Sequence, residues 1–162
     1  MRQSARSLWS ILFVCLSAAC SSGPGTPEDM NTGAVHDSAR VLMSAIARDV
    51  SAQGASAWIK YFDDSTDFFM ASDGALAFSD YPTASQFIRD TLINSIPSIQ
   101  LVWKNIRINP LSPQLAAIGA GFGEDLQNPR GETTHMDGYF TAVARWRAGK
   151  WKLQHAHWSV SR

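Results

Sequence analysis

The chain has 162 residues with 14 basic and 14 acidic side chains, a formal net charge of zero, and no stretch where basic residues cluster, so nothing supports nucleic-acid binding. Its two cysteines, Cys15 and Cys20, lie close together near the N-terminus, which excludes both a disulfide framework and a thiolate metal site. The length and the 45% hydrophobic content suit one domain that buries a core without covalent staples, and no internal repeat is visible.

Arg2 and Arg6 precede an apolar run from Leu8 to Ala19. That run is shorter than the roughly 20 apolar residues of a spanning helix, and small residues stand at its end, so residues 1–19 are predicted to be a secretory signal peptide. The residues "LSAAC" resemble the bacterial lipoprotein box, with Leu16 one place early and Ser17 where that box prefers an aliphatic residue. The resemblance implies lipidation of Cys20 and a membrane anchor; Ser21 is similar to the outer-membrane sorting context. A bacterial cell-envelope protein, held on the outer membrane and facing the periplasm, is therefore expected, or a secreted one if Cys20 carries no lipid. Cleavage would remove Cys15 and two basic residues, leaving 12 against 14 acids. Residues 20–34, rich in Ser, Gly, Pro and Thr without periodicity, read as a flexible tether, with one folded domain over 35–162.

From Asp37 to about Gln53, Val41, Leu42, Ala45, Ile46 and Val50 recur at helical spacing, with Asp37 or Ser38 as cap and Gly54 as stop. A second, shorter helix is expected in "AWIKYFDD", where Trp58, Ile59 and Phe62 share a face. "TDFFMASDGALAF" reads as a hairpin turning at Asp73-Gly74. A third helix follows, from Pro82 in its first turn to Pro97 as its end. Four strands close the chain: "SIQLVWKNIRI", "QLAAIGAGFGE", "THMDGYFTAVARW" and "KWKLQHAHWSV". This order indicates an α+β domain with helices on one face of a curved antiparallel sheet.

Ala148-Gly149 forms a natural two-residue turn between the last two strands. An unbroken register from that turn sets His155 opposite Ala142 and His157 opposite Phe140. Both imidazoles then point inward with Phe140, Ala142, Ala144, Trp146, Trp151 and Leu153, whereas Tyr139, Trp158 and Val160 share the other face.

The ending Gly149-Lys150-Trp151, then His155-Ala156-His157 and Ser159, together with "AWIKYFDDSTDFF", resembles the nuclear transport factor 2-like superfamily in its SnoaL-like branch, in element order from about Asp37 to Ser161. It departs from that branch before the third helix, where "SDYPTASQF" replaces the usual glycine and basic residue. The resemblance implies a cone-shaped sheet with three N-terminal helices packed on its concave face, an enclosed cavity, and a homodimer.

On that reading the cavity takes a small apolar or amphipathic molecule, with His155, His157, Trp103, Phe140, Tyr61 and Trp58 as ligand-binding candidates. An alternative is an isomerase, dehydratase or hydrolase acting on a small carbonyl compound, with His155 or Asp137 as base and Tyr139 as donor; a third is an oligomerisation module built on the outer face. A metal site joining His135 and Asp137 to His155 and His157 requires a strand bulge, for instance at Gly138, and is not expected. No cofactor is called for. Asp63 and Asp64, at a helix end, are expected to be solvated.

Overall fold

The structure, a computed structural model, describes residues 31–161, so the expected signal peptide, Cys20 and most of the expected tether lie outside the described residues. Helix α1 (Thr32–Gln53) is capped by Asn31, whose Oδ1 accepts from the Ala34 N–H at 3.0 Å. It therefore starts ahead of the expected caps Asp37 and Ser38 and absorbs residues assigned to the tether. Its buried stripe of Val35, Ala39, Leu42, Met43, Ile46 and Val50 follows the helical period, and Gly54 ends it with φ 69°. The expected second α-helix is a 3-10 helix (Gly54–Lys60).

Strands β1 (Phe69–Ser72) and β2 (Ala75–Phe78) meet at Asp73 and Gly74, both at positive φ, as a tight hairpin turn requires. Helix α2 (Tyr81–Phe87) is capped by Asp80, which accepts from the Thr83 N–H at 2.8 Å. It continues through a π-helical turn (Ile88–Leu92) into a last turn (Ile93–Ser95). Strands β3 (Ser98–Ser112), β4 (Leu115–Gln127), β5 (Thr133–Arg147) and β6 (Lys150–Val160) complete one six-stranded sheet of order β2-β1-β6-β5-β4-β3. The sheet is mixed rather than wholly antiparallel, because β1 runs parallel to β6. None of the described helices is long and apolar enough to cross a membrane.

Long-range hydrogen bonds tie α1 to the sheet, among them three of 3.0 Å or shorter. Trp103 Nε1 donates to the Met43 carbonyl at 2.9 Å, Trp151 Nε1 to Ser38 Oγ at 2.9 Å, and the Leu101 N–H to Ser51 Oγ at 3.0 Å. Between them lies the core, including Phe122, Phe140, Met43, Ile46 and Leu153.

The β5–β6 hairpin keeps its expected register only through Ala144 opposite Leu153. Val143 then pairs with His155, so Gln154 is an extra residue in β6, and Leu153 and Gln154 are both buried. This bulge reverses the facing of everything beyond it. Ala156 and Trp158 point inward, while His155 and His157 stand on the outer face beside Val143 and Thr141, contrary to the unbroken register.

Gly138 of β5 lies between Phe122 of β4 and Val160 of β6. A Cβ there would sit 2.1 Å from the Ser159 carbonyl oxygen and 2.5 Å from Phe122 Cζ. Since the first of these is backbone, Gly138→Ala must part β5 from β6, and it must displace the Phe122 ring as well. It is expected to lower the unfolding free energy by roughly 2 kcal/mol, read as a reduced urea midpoint at unchanged slope.

Candidate functional site

Side chains from six parts of the fold line a half-open cavity of about 200 Å³ between the helices and the sheet. Trp58 and Phe62 come from the 3-10 region, Met70, Ser72 and Phe78 from the β1–β2 hairpin, and Phe87, Ile88, Leu92 and Ile96 from the α2 segment. Ile99, Glu124 and Leu126 rise from β3 and β4, and Ala156 and Trp158 from β6. The π turn puts Ile88 and Leu92 on this wall, a placement π turns often have at functional sites. By comparison, an apolar cavity of roughly 150 Å³ takes benzene, so this one has room for about one ring or a compact aliphatic body.

Glu124 is the one ionisable group in that lining. It is only 7% exposed, and burial alone pushes its carboxyl up to about 7, with no cation or hydrogen bond opposing the shift. Both protonation states are therefore populated at neutral pH. The central position of β4, hydrogen-bonded to β3 and β5, fixes its backbone. A signal for it existed in the sequence: Ala116, Ile118, Ala120, Phe122, Glu124 and Leu126 alternate inward along β4, and a carboxylate within such an apolar series is anomalous.

Of the residues singled out from sequence, Trp58 lines the cavity. Trp103 and Phe140 pack against Trp158 as part of the core behind it. Tyr61 points elsewhere, donating to Asp49 Oδ2 at 2.6 Å. Trp158, expected on the outer face with Tyr139 and Val160, instead packs against Trp58, Trp103, Phe122 and Phe140, and Val160 too packs against the core.

His155 and His157 do not face the cavity. His155 stacks on Phe69 with ring centroids 4.2 Å apart. The bulge at Gln154 does bring them onto the face that carries His135, Asp137 and Tyr139, but not together. Tyr139 pairs with Ser159, four positions along β6 from His155, which is roughly 13 Å of strand. Asp137 is engaged by Lys104 and by His135 Nε2 at 3.3 Å, and His135 Nδ1 meets Asp125 at 2.6 Å. The expected constellation of His155, Asp137 and Tyr139 is thus not assembled. Among the described residues no group of three or more His, Cys, Asp or Glu side chains is placed to hold a metal ion. Asp63, expected in solvent, is fully buried; its Oδ1 accepts from Arg147 at 3.3 Å and from the Ser65 N–H at 3.2 Å.

No protein-family model matches the chain, and no curated protein matches it in sequence. Solved structures do match in shape. A nuclear transport factor 2-like superfamily protein from Salmonella enterica serovar Typhimurium LT2 aligns with TM-score 0.68 at 13% identity, over 80% of this chain and 93% of that one. LinA aligns with TM-score 0.64 at 15% identity, over 80% and 87%. The type 3 hexachlorocyclohexane dehydrochlorinase LinA of Novosphingobium barchaimii LL02 aligns with TM-score 0.63 at 12% identity, over 80% and 88%. At these identities the likeness is one of architecture, and the mixed curved sheet with helices over one face has the nuclear transport factor 2-like fold.

Proposed function

We propose that this protein binds a small, largely apolar molecule in the cavity beneath the α2 segment, with Glu124 as its polar anchor. The observation that carries this reading is a carboxyl group without a partner among the described residues, in a largely apolar, ligand-sized space. Such a group is costly to bury and is kept where it meets something. The same carboxyl supports a second reading as an enzyme: a group titrating near 7 is matched to taking up or delivering a proton at neutral pH. One of the proteins of similar shape is a dehydrochlorinase. In either case the acting group is Glu124, not the outward His155 or His157.

We further propose that the signal peptide and Cys20 place this domain on the bacterial outer membrane, facing the periplasm, and that the outer sheet face, with Tyr139 and Val102 exposed, supports a homodimer. Light scattering that returns only monomer at working concentration would remove the dimer.

Three results test these readings. Monocyclic probes such as phenol or toluene should raise the melting temperature, and Ala156→Phe, which fills the cavity, should abolish that shift in a protein that still folds; no shift with any probe would sink the binding proposal. Cys20→Ser should move the protein from the membrane to the soluble fraction, and unchanged fractionation would refute the anchor. The third concerns pH. The folded carboxyl of Glu124 is raised above its unfolded value, so the native state binds the extra proton between about 4.5 and 7. Stability from this group is full below about 4.5, falls as pH rises, and levels off above about 7. Glu124→Gln should therefore be the more stable protein at pH 8, by roughly 3 kcal/mol, with the gap closing near pH 4. A pH-independent gap would show that Glu124 is not buried as described.

A further inference from the structure

The chemistry of the cavity wall narrows the ligand further than size does. Among the described residues no Lys, Arg or His lines the cavity, so a carboxylate or phosphate would meet an ionised Glu124 with nothing to offset the repulsion. A hard metal ion needs about six oxygen ligands, and only Glu124 and Ser72 offer side-chain oxygens. A neutral hydrogen-bonding ligand would be served as well by glutamine, without the cost of a buried acid. What remains is a cation or a transferred proton, and the rings favour the cation. Trp58, Phe62, Phe78, Phe87 and Trp158 all contribute to the lining, and aromatic faces attract a desolvated cation, Trp most strongly.

Resting on the cavity reading above, we infer that the ligand is a small organic cation, a quaternary ammonium or protonated amine with a compact apolar body, held by the aromatic wall and by Glu124 as counter-ion. Ring faces take the alkyl groups around nitrogen, and the carboxylate supplies the one full charge. Binding then draws the carboxyl toward its ionised form and releases a proton wherever Glu124 was protonated beforehand.

The test is calorimetry on the full chain with a matched pair: choline, and its neutral isostere 3,3-dimethylbutan-1-ol. Choline should bind roughly tenfold or more tightly at pH 8, and its affinity should fall about tenfold for each pH unit below 7 as Glu124 takes up a proton. In Glu124→Gln, whose fold is confirmed by its melting curve, the preference should shrink to what the aromatic wall alone supplies and its pH dependence should vanish. Equal or tighter binding of the alcohol would overturn the cation while leaving the cavity reading standing. Failure of both probes at millimolar concentration, together with no melting shift from phenol or toluene, would overturn both.

Discussion

Opposite the consecutive residues Ala144 and Val143 of β5, strand β6 carries three, Leu153, Gln154 and His155. The cause lies on the other edge of β6. There the Leu153 N–H donates to the Tyr61 carbonyl at 2.7 Å and its carbonyl accepts from the Asp63 N–H at 2.8 Å, whereas β1 takes over as parallel partner from His155 onward. The segment between these partners, residues 63–68, is spanned by Gln154, whose Nε2 donates to Asp67 Oδ2 at 3.3 Å. One strand thus serves two successive neighbours, and the extra residue joins the two registers. Its result is the cavity: without the phase change, two imidazoles rather than Ala156 and Trp158 would form the back wall.

Among the described residues three acidic side chains are buried, and the contrast between their surroundings supports the proposed site. Asp49 receives Arg48 Nε at 2.7 Å, Lys60 Nζ at 2.6 Å and the Tyr61 hydroxyl at 2.6 Å, and these hydrogen bonds hold it well below the usual carboxylate range. It fastens α1 to the 3-10 helix. Asp63 has Arg147 on Oδ1, while its buried Oδ2 has no partner among the described residues. It sits where the chain enters the pairing with β6, and its backbone role there accounts for its position. Glu124 has neither cation nor donor, and it alone of the three lines the cavity. Burial that structure compensates is architectural; burial left uncompensated beside a ligand-sized space belongs to binding or chemistry.

Turn chemistry and alternation made the strands legible. Asp73-Gly74 and Ala148-Gly149 both adopt the positive φ values their turns need, and all four long strands lie where the patterns placed them. The bulge was not legible, because "LQHAHWSV" can be read in either phase: histidine suits a half-buried face and a core face alike, and Trp158 offers an apolar inward choice just as Leu153 does. The tertiary demand that breaks the tie comes from residues about ninety positions earlier, Tyr61 to Ser72, and local pattern cannot report it. Glu124 differed, since its place in the β4 alternation was readable and the histidine pair drew attention from it. The parallel β1–β6 pairing was hidden for the same reason as the bulge, being a contact of long sequence separation.

The cavity's two sides are held by unlike forces. Glu124 and Trp158 stand on strands whose backbones are fixed by ladders on both edges, β4 between β3 and β5, and β6 between β5 and β1. Across from them, Phe87, Ile88, Leu92 and Ile96 sit on a helical segment whose hydrogen bonds, among the described residues, are local ones such as Ser85 Oγ to the Pro82 carbonyl and the Ile96 N–H to the Leu92 carbonyl. That segment also leaves Phe87 and Ile93 well exposed. Its attachment is therefore side-chain packing alone, which yields at lower cost than a strand ladder. Charge is placed on the rigid side, where its position relative to the ring of Trp158 cannot drift. Shape is set on the yielding side, where admission of a ligand asks least of the fold.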